Sequence, residues 1–418
     1  MHWGFLGPEV LPHERRVRTL GLGAVVRNFN EIAVPGMGGV WFGKQLLLPL
    51  LGISVAQAVR AEGKHVSNIE VANAIEAVAC LSAYKMANWR SDPRLRGGQK
   101  LRNVSEPVFA QARKRSFYVS QPMRMSAVEP LLALGFVDGD TERFNAMRLS
   151  RTGSDFLECA LSHCRPNGRS VATHLLRWVR GDESKVVTGA LTEAISPLTP
   201  MPAMATSILR EQIEVHGPGS GRRKAALRWV GNDKAKTDWS PRPTEISEDH
   251  WRDLRIGAKF FLTRDASLDL LDAVEHEIAL AGGRGLKPIE ASLTPRVTEL
   301  RDRLRDRANA FLEEGLEAAF VQDAKNFCLE CMDVDNAVTT LTKRDGRVLR
   351  YRDDMVVPGA AFDYSARVPE PTDGSEPAPP EPQWPPGISR RVDNLFWMSL
   401  DLRSELDKRI GGKSNEEE

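Results

Sequence analysis

With 418 residues, 41% apolar and 27% charged, the chain is long enough for two or three domains and ordinary enough in composition for a soluble globular protein. Its 57 basic side chains meet 56 acidic ones, and a net charge of +1 excludes a globally basic nucleic-acid binder, so any such contact must come from a local patch. Cys80, Cys159, Cys164, Cys328 and Cys331 make no disulfide framework, and the longest apolar run, 46–56, is broken by Pro49 and Gly52 short of the ~20 residues of a membrane span. A cytoplasmic protein without membrane contact is expected.

In chain order, the apolar stretch 20–26 reads as a short buried element after a basic start. A glycine-rich loop, Gly38-Gly-Val-Trp-Phe-Gly-Lys44, then runs into an apolar helix over 46–60. The loop matches the spacing of a phosphate loop. However, Gln45 replaces the hydroxyl that would hold magnesium, and Trp41 and Phe42 are bulky where backbone amides must approach phosphate. A glycine turn with both aromatics in the core is the expectation. Ser67-Asn-Ile-Glu70 is a capping box opening a helix that runs to residue 88, with Val71, Ile75, Val78 and Ser82 on one face.

Charge then segregates. Residues 84–125 carry ten basic side chains, among them Arg94, Arg96, Lys100, Arg113, Lys114, Arg115 and Arg124. Against them stand only Asp92 and Glu106, a local charge of +8 in a chain whose total is +1. Ser126 can cap the following amphipathic helix, with Pro130 in its first turn and Gly135 at a left-handed exit. Asp138-Gly139 signals a hairpin that returns through Ala146 to Leu149, with Met147 inward and Arg148 outward.

Three pieces in this order carry a resemblance: Leu134-Gly-Phe-Val137 leaving a helix, the polar 138–145 hairpin, and Leu149-Ser-Arg-Thr-Gly153 with Phe156 and Leu157 opening the next helix. The stretch from about 66 to 160 resembles a winged helix-turn-helix. That resemblance implies a recognition helix, a wing bearing Arg143 and Arg148, and duplex DNA as partner.

Further on, His174, Leu175, Leu176 and Trp178 mark a core face, 196–202 breaks the helical pattern, and a helix over 203–215 follows. His216-Gly-Pro-Gly-Ser-Gly221 reads as a flexible joint before a second basic patch, Arg222, Arg223, Lys224 and Arg228; residues 221–236 together carry +5. The second half is helical: 267–281 ends at Gly282-Gly283, and Thr294-Pro295 caps a helix expected to run over 295–330, about 50 Å. Residues 347–362 read as a strand pair or extended loop. A proline-rich linker over 367–388 tethers an amphipathic helix, 389–411, that must dock on its own body or on a partner.

Cys328-Leu-Glu-Cys331 has zinc or redox spacing, with Cys159, His163 and Cys164 as distant partners, but two buried helix cysteines are the simpler reading. Asp265, Asp269, Asp272, Glu275, His276 and Glu277 read as a solvated face rather than a nuclease site beside Lys287 and Glu290. No nucleophile set has a local signature, so no catalytic residue, metal or cofactor is expected.

The expected architecture is therefore mainly α. It has a winged-helix domain (1–165), a helical connector (166–216), a helical domain with a long helix (217–366), the linker and the C-terminal helix. The expected function is a non-enzymatic DNA-binding subunit of a multiprotein assembly. The alternative is a scaffold subunit of a prokaryotic defence or chromosome-maintenance complex, with the winged helix, helix 295–330 or helix 389–411 docking protein.

Overall fold

The computed structural model describes residues 18, 20–139, 143–232, 238–291, 294–314, 321–363 and 384–411. Among them the chain is mainly helical, with eighteen helices and two two-stranded antiparallel sheets, in keeping with the mainly α expectation. No described helix is long and apolar enough to cross a membrane. Two compact units are present: residues 30–253 with 371–418, and residues 1–29 with 254–370. The division falls within helices Gly23–Ala33 and Glu248–Leu280.

The larger unit is built around helices Lys44–Ala61 and Asn68–Met86, which are apolar on almost every face and accordingly buried on almost every face. They touch at Gly52, where a Cβ would sit 2.6 Å from the Ala72 Cα. The Ser67–Glu70 capping box forms as expected, and the second helix ends at Met86 with Asn88 and Trp89 in left-handed turns. Helices Val171–Arg180, Arg124–Ala133 and Arg151–Leu161 pack against the first. His174, Leu175 and Trp178 are buried as expected.

Residues 165 and 216 both lie inside this unit. The 216–221 segment is braced rather than flexible, because Arg223 reaches back across it to the backbone carbonyls of Ile213, His216 and Pro218 and to that of Pro35. Gly219, at φ +78, lies so close to Pro35 that a Cβ would come within 2.5 Å of its ring. The C-terminal helix, Arg390–Asp401, docks on its own body: Val392, Leu395, Trp397 and Met398 are buried, and the helix packs on Ser220–Gly231. It breaks at Ser404, φ +59, before a last turn, Leu406–Gly411. Most of the proline-rich linker lies outside the described residues.

The smaller unit gathers Phe29, Phe260, Phe261, Phe311 and Phe327 into one aromatic cluster, Phe29 stacking on Phe260 at 5.1 Å. Its longest element is the 33-residue helix Glu248–Leu280, which starts well before the expected 267 and ends at the left-handed Gly282 and Gly283. The expected single helix over 295–330 is instead two, Pro295–Leu312 and Gln322–Met332, packed on each other. Folding back buries Val297, Leu304, Phe311 and Phe327, which a straight strut would leave half in water. The strand pair is a hairpin, Leu349–Arg352 with Met355–Pro358, turning at Asp353 and Asp354 with positive φ, as a two-residue turn requires. The acidic face of Glu248–Leu280 is partly neutralised: Asp269 pairs with Arg303, and Asp272 and Glu275 pair with Arg18.

Candidate nucleic-acid interface

Local rules explain how residues 124–161 fold. Helix Arg124–Ala133 begins two residues before Ser126, so Ser126 is not its cap and Pro130 lies inside the helix rather than in its first turn. Its exit is a Schellman turn: Gly135, at φ +69, donates to the Leu132 carbonyl and Phe136 to that of Leu131. Val137 and Asp138 pair with Leu149 and Arg148, with Met147 buried and Arg148 exposed. Residues 140–142 lie outside the described residues. Ser150 then caps Arg151–Leu161 through the Gly153 N–H at 2.9 Å. Gly153 itself lies so near the Phe136 carbonyl that a Cβ would come within 2.1 Å.

These elements converge on the first turn of Asn68–Met86. The Asn68 amide holds the carbonyls of Phe144 and Met147, and Asn145 accepts the Ile69 N–H. Arg113 pairs with Glu70 at 3.4 Å and lies over the Phe109 ring. Arg124 donates to Asn73 at 2.8 Å and lies 5.9 Å from the centroid of Phe144, with Arg115 among its charged neighbours. Stretches 68–73, 113–124 and 143–148, remote in sequence, thereby form one basic edge. Lys114, Arg115, Arg143 and Arg148 are exposed and have no acidic partner at ion-pair distance among the described residues; Asp138 faces Arg148 across the strand pair.

Several of the other candidates are engaged within the fold. Arg94, 7% exposed, is clamped by Asp92 and Asp407 at 2.8 and 2.6 Å, so its charge is already matched. Arg96 and Lys100 donate to the carbonyls of Gln121 and Ser116 from the edge of the basic surface. In the second patch, Arg222 binds Asp253 and the Ile32 carbonyl, Arg223 is wholly buried, and Lys224 faces Glu214 at 3.9 Å. Arg228 has no acidic partner at ion-pair distance among the described residues and lines a shallow cleft of about 350 Å³ with Arg210 and Arg403. The patch is therefore not one surface.

One face of Arg124–Ala133, that of Ser126, Pro130 and Ala133, is covered, while Met125 on the same helix is exposed. A Cβ at Gly36 would sit 2.4 Å from that of Ala133, and one at Gly38 would sit 2.8 Å from the Ser126 carbonyl oxygen. Arg391 of the C-terminal helix spans Glu129, at 2.8 Å, and Glu31. Burial and the facing Glu31 push Glu129 up to about 7. Behind the basic edge, burial pushes the fully enclosed Glu76 to about 7, against hydrogen bonds from the Tyr118 hydroxyl at 2.6 Å and the Arg124 N–H at 2.9 Å.

A carboxyl raised from 4.5 to about 7 holds its proton longer folded than unfolded, so its contribution to stability is greatest below 4.5 and is lost as pH rises towards 7. The neutral, buried His250, whose burial lowers its value, works in the opposite sense. Glu76→Gln should therefore gain stability relative to the parent as pH climbs from 4.5 to 7, measured as the difference in urea midpoints. Parallel curves would mean that Glu76 is ionised throughout.

The glycine loop is not a phosphate loop. Lys44 is fully buried with its Nζ on the Ala194 carbonyl, the Gly43 N–H is taken by Asp401 at 2.8 Å, and Phe42 lies in the core. Burial lowers Lys44 to about 8, opposed by Asp401, Cys164 and Glu193. Cys328 and Cys331 are buried free thiols beside Thr263 and Ser267, and burial raises both, Cys331 to about 12. His163 and Cys164 instead meet Glu193, a residue without a sequence signal because it lies in an ordinary helical pattern about thirty positions away. No family model, curated protein or solved structure matches the chain.

Proposed function

We propose that this chain is a non-enzymatic DNA-binding subunit of a multiprotein assembly and that it grips the duplex by its phosphates rather than by reading bases. The observation that carries this reading is the basic edge around the first turn of Asn68–Met86, where Arg113, Lys114, Arg115 and Arg124 join Arg143 and Arg148 of the hairpin. The reading of 66–160 as a winged helix is supported by the order of helices and paired strands and by the Gly135 and Gly153 contacts. Because the Gly36–Gly39 loop packs on the Ser126, Pro130 and Ala133 face of Arg124–Ala133 and narrows the surface that helix could offer a groove, groove insertion is left out. Phosphate contacts position a protein without sequence information.

Binding should therefore be nearly equal for unrelated duplexes and weaken steeply with salt, with a log–log slope of about −5 for about six phosphates neutralised. Fluorescence anisotropy with two unrelated duplexes across a salt series measures both. A second reading is favoured by the exposed Met125 (54%) and Val108 (48%) flanking the same edge, because apolar side chains within a basic surface suit protein docking. Absence of duplex binding even at low salt would replace the first reading with this one.

A further inference from the structure

We infer that His163, Cys164 and Glu193 form a zinc-binding site. An imidazole nitrogen, the Cys164 Sγ and a Glu193 carboxylate oxygen all lie within 4.8 Å of one another. Tetrahedral zinc, with bonds of about 2.0–2.3 Å, needs its ligand atoms roughly 3.5 Å apart. His163 and Glu193 are exposed and can close that difference by side-chain rotation, whereas Cys164 is fixed at 3% exposure in the turn that follows Arg151–Leu161.

None of the three side chains has a hydrogen bond or ion pair among the described residues, and a buried thiol aimed at two exposed ligating groups is an unsatisfied arrangement that a metal would complete. The mixed nitrogen, sulfur and oxygen set suits zinc rather than calcium or magnesium, which take oxygen alone. Three protein ligands leave a fourth position for water. Glu193 also lines a cleft of about 490 Å³ with Ser82, Lys85, Thr192 and Thr199, so that position has solvent access nearby. On binding, the Cys164 thiol loses its proton to solvent and coordinates as thiolate.

The competing account is that Lys44, with its Nζ on the neighbouring Ala194 carbonyl, is the only counter-charge Cys164 and Glu193 require. Cobalt(II), a zinc surrogate with visible spectra, separates the two. Titrated into the reduced, untagged full-length chain, it should bind one equivalent and give a thiolate-to-metal charge-transfer band. Zinc should then displace the cobalt and abolish the band.

Cys164→Ser should remove the band, and Cys159→Ser should leave it. His163→Ala and Glu193→Gln, both at exposed positions, should weaken zinc by more than the roughly 10–100-fold that removal of an outer-shell partner costs. These two variants decide the matter if Cys164→Ser fails to fold. A parent protein without the band, a band that survives Cys164→Ser, or zinc affinity unchanged in the exposed-ligand variants would overturn the site. The inference does not rest on DNA binding.

Discussion

Replacing Arg223 with alanine should lower the unfolding free energy of the larger unit by on the order of 4 kcal/mol and leave DNA affinity of the folded fraction unchanged. Sequence context places this residue in a basic patch, yet its guanidinium is wholly buried and donates to four backbone carbonyls, those of Ile213, Pro35, Pro218 and His216. Alanine would leave those acceptors without a donor where water reaches them poorly, and each orphaned carbonyl costs about 1–3 kcal/mol before relaxation. Lysine restores the charge but supplies only three donors from one point and should recover little of the stability. Urea denaturation followed by tryptophan fluorescence reads this unit, which holds Trp178, Trp229 and Trp397. A midpoint close to that of the parent would show that the loop 213–223 does not depend on its brace.

The triple change of Arg113, Lys114 and Arg115 to alanine should do the reverse. All three are exposed, so folding should survive, while duplex affinity near 0.1 M salt should fall by about two orders of magnitude. The salt slope should shrink by nearly three units, about 0.9 for each phosphate no longer neutralised, and by the same amount for any duplex. Glu70, which gives up Arg113, keeps its hydrogen bonds to Ser67, so the helix cap is not disturbed. Arg94→Ala is the matched control. It removes one positive charge from the same sequence segment but unpairs Asp92 and Asp407, and should therefore cost stability rather than salt dependence. If the triple variant binds like the parent, the basic edge does not meet phosphate, and the flanking Met125 and Val108 point to a protein partner.

What could be read from the chain alone is what is set within about five residues: the Ser67–Glu70 box, the left-handed exit at Gly135, the Thr294 cap, the turns at Gly282 and Gly283, and helix Ala203–Val215 at its expected bounds. Capping and turn chemistry are set by the chain's own neighbours, so they are legible without knowing the fold. Which charges are free was settled only by the folded chain. Arg94 and Lys114 are alike in sequence, but Arg94 is paired not only with the neighbouring Asp92 but also with Asp407, 313 positions away, and Arg223 adds to its nearby carbonyls that of Pro35, 188 positions away. The 295–330 pattern is continuous in hydrophobic period, and burying both faces against each other outweighed one straight helix. His163 and Cys164 stood out by residue type alone, but Glu193 joined them only because the turn after Arg151–Leu161 meets helix Gly189–Ile195. Long-range pairing of this kind leaves no local periodicity, cap or spacing to read, because the free energy that selects it comes from the packed core rather than from the segment.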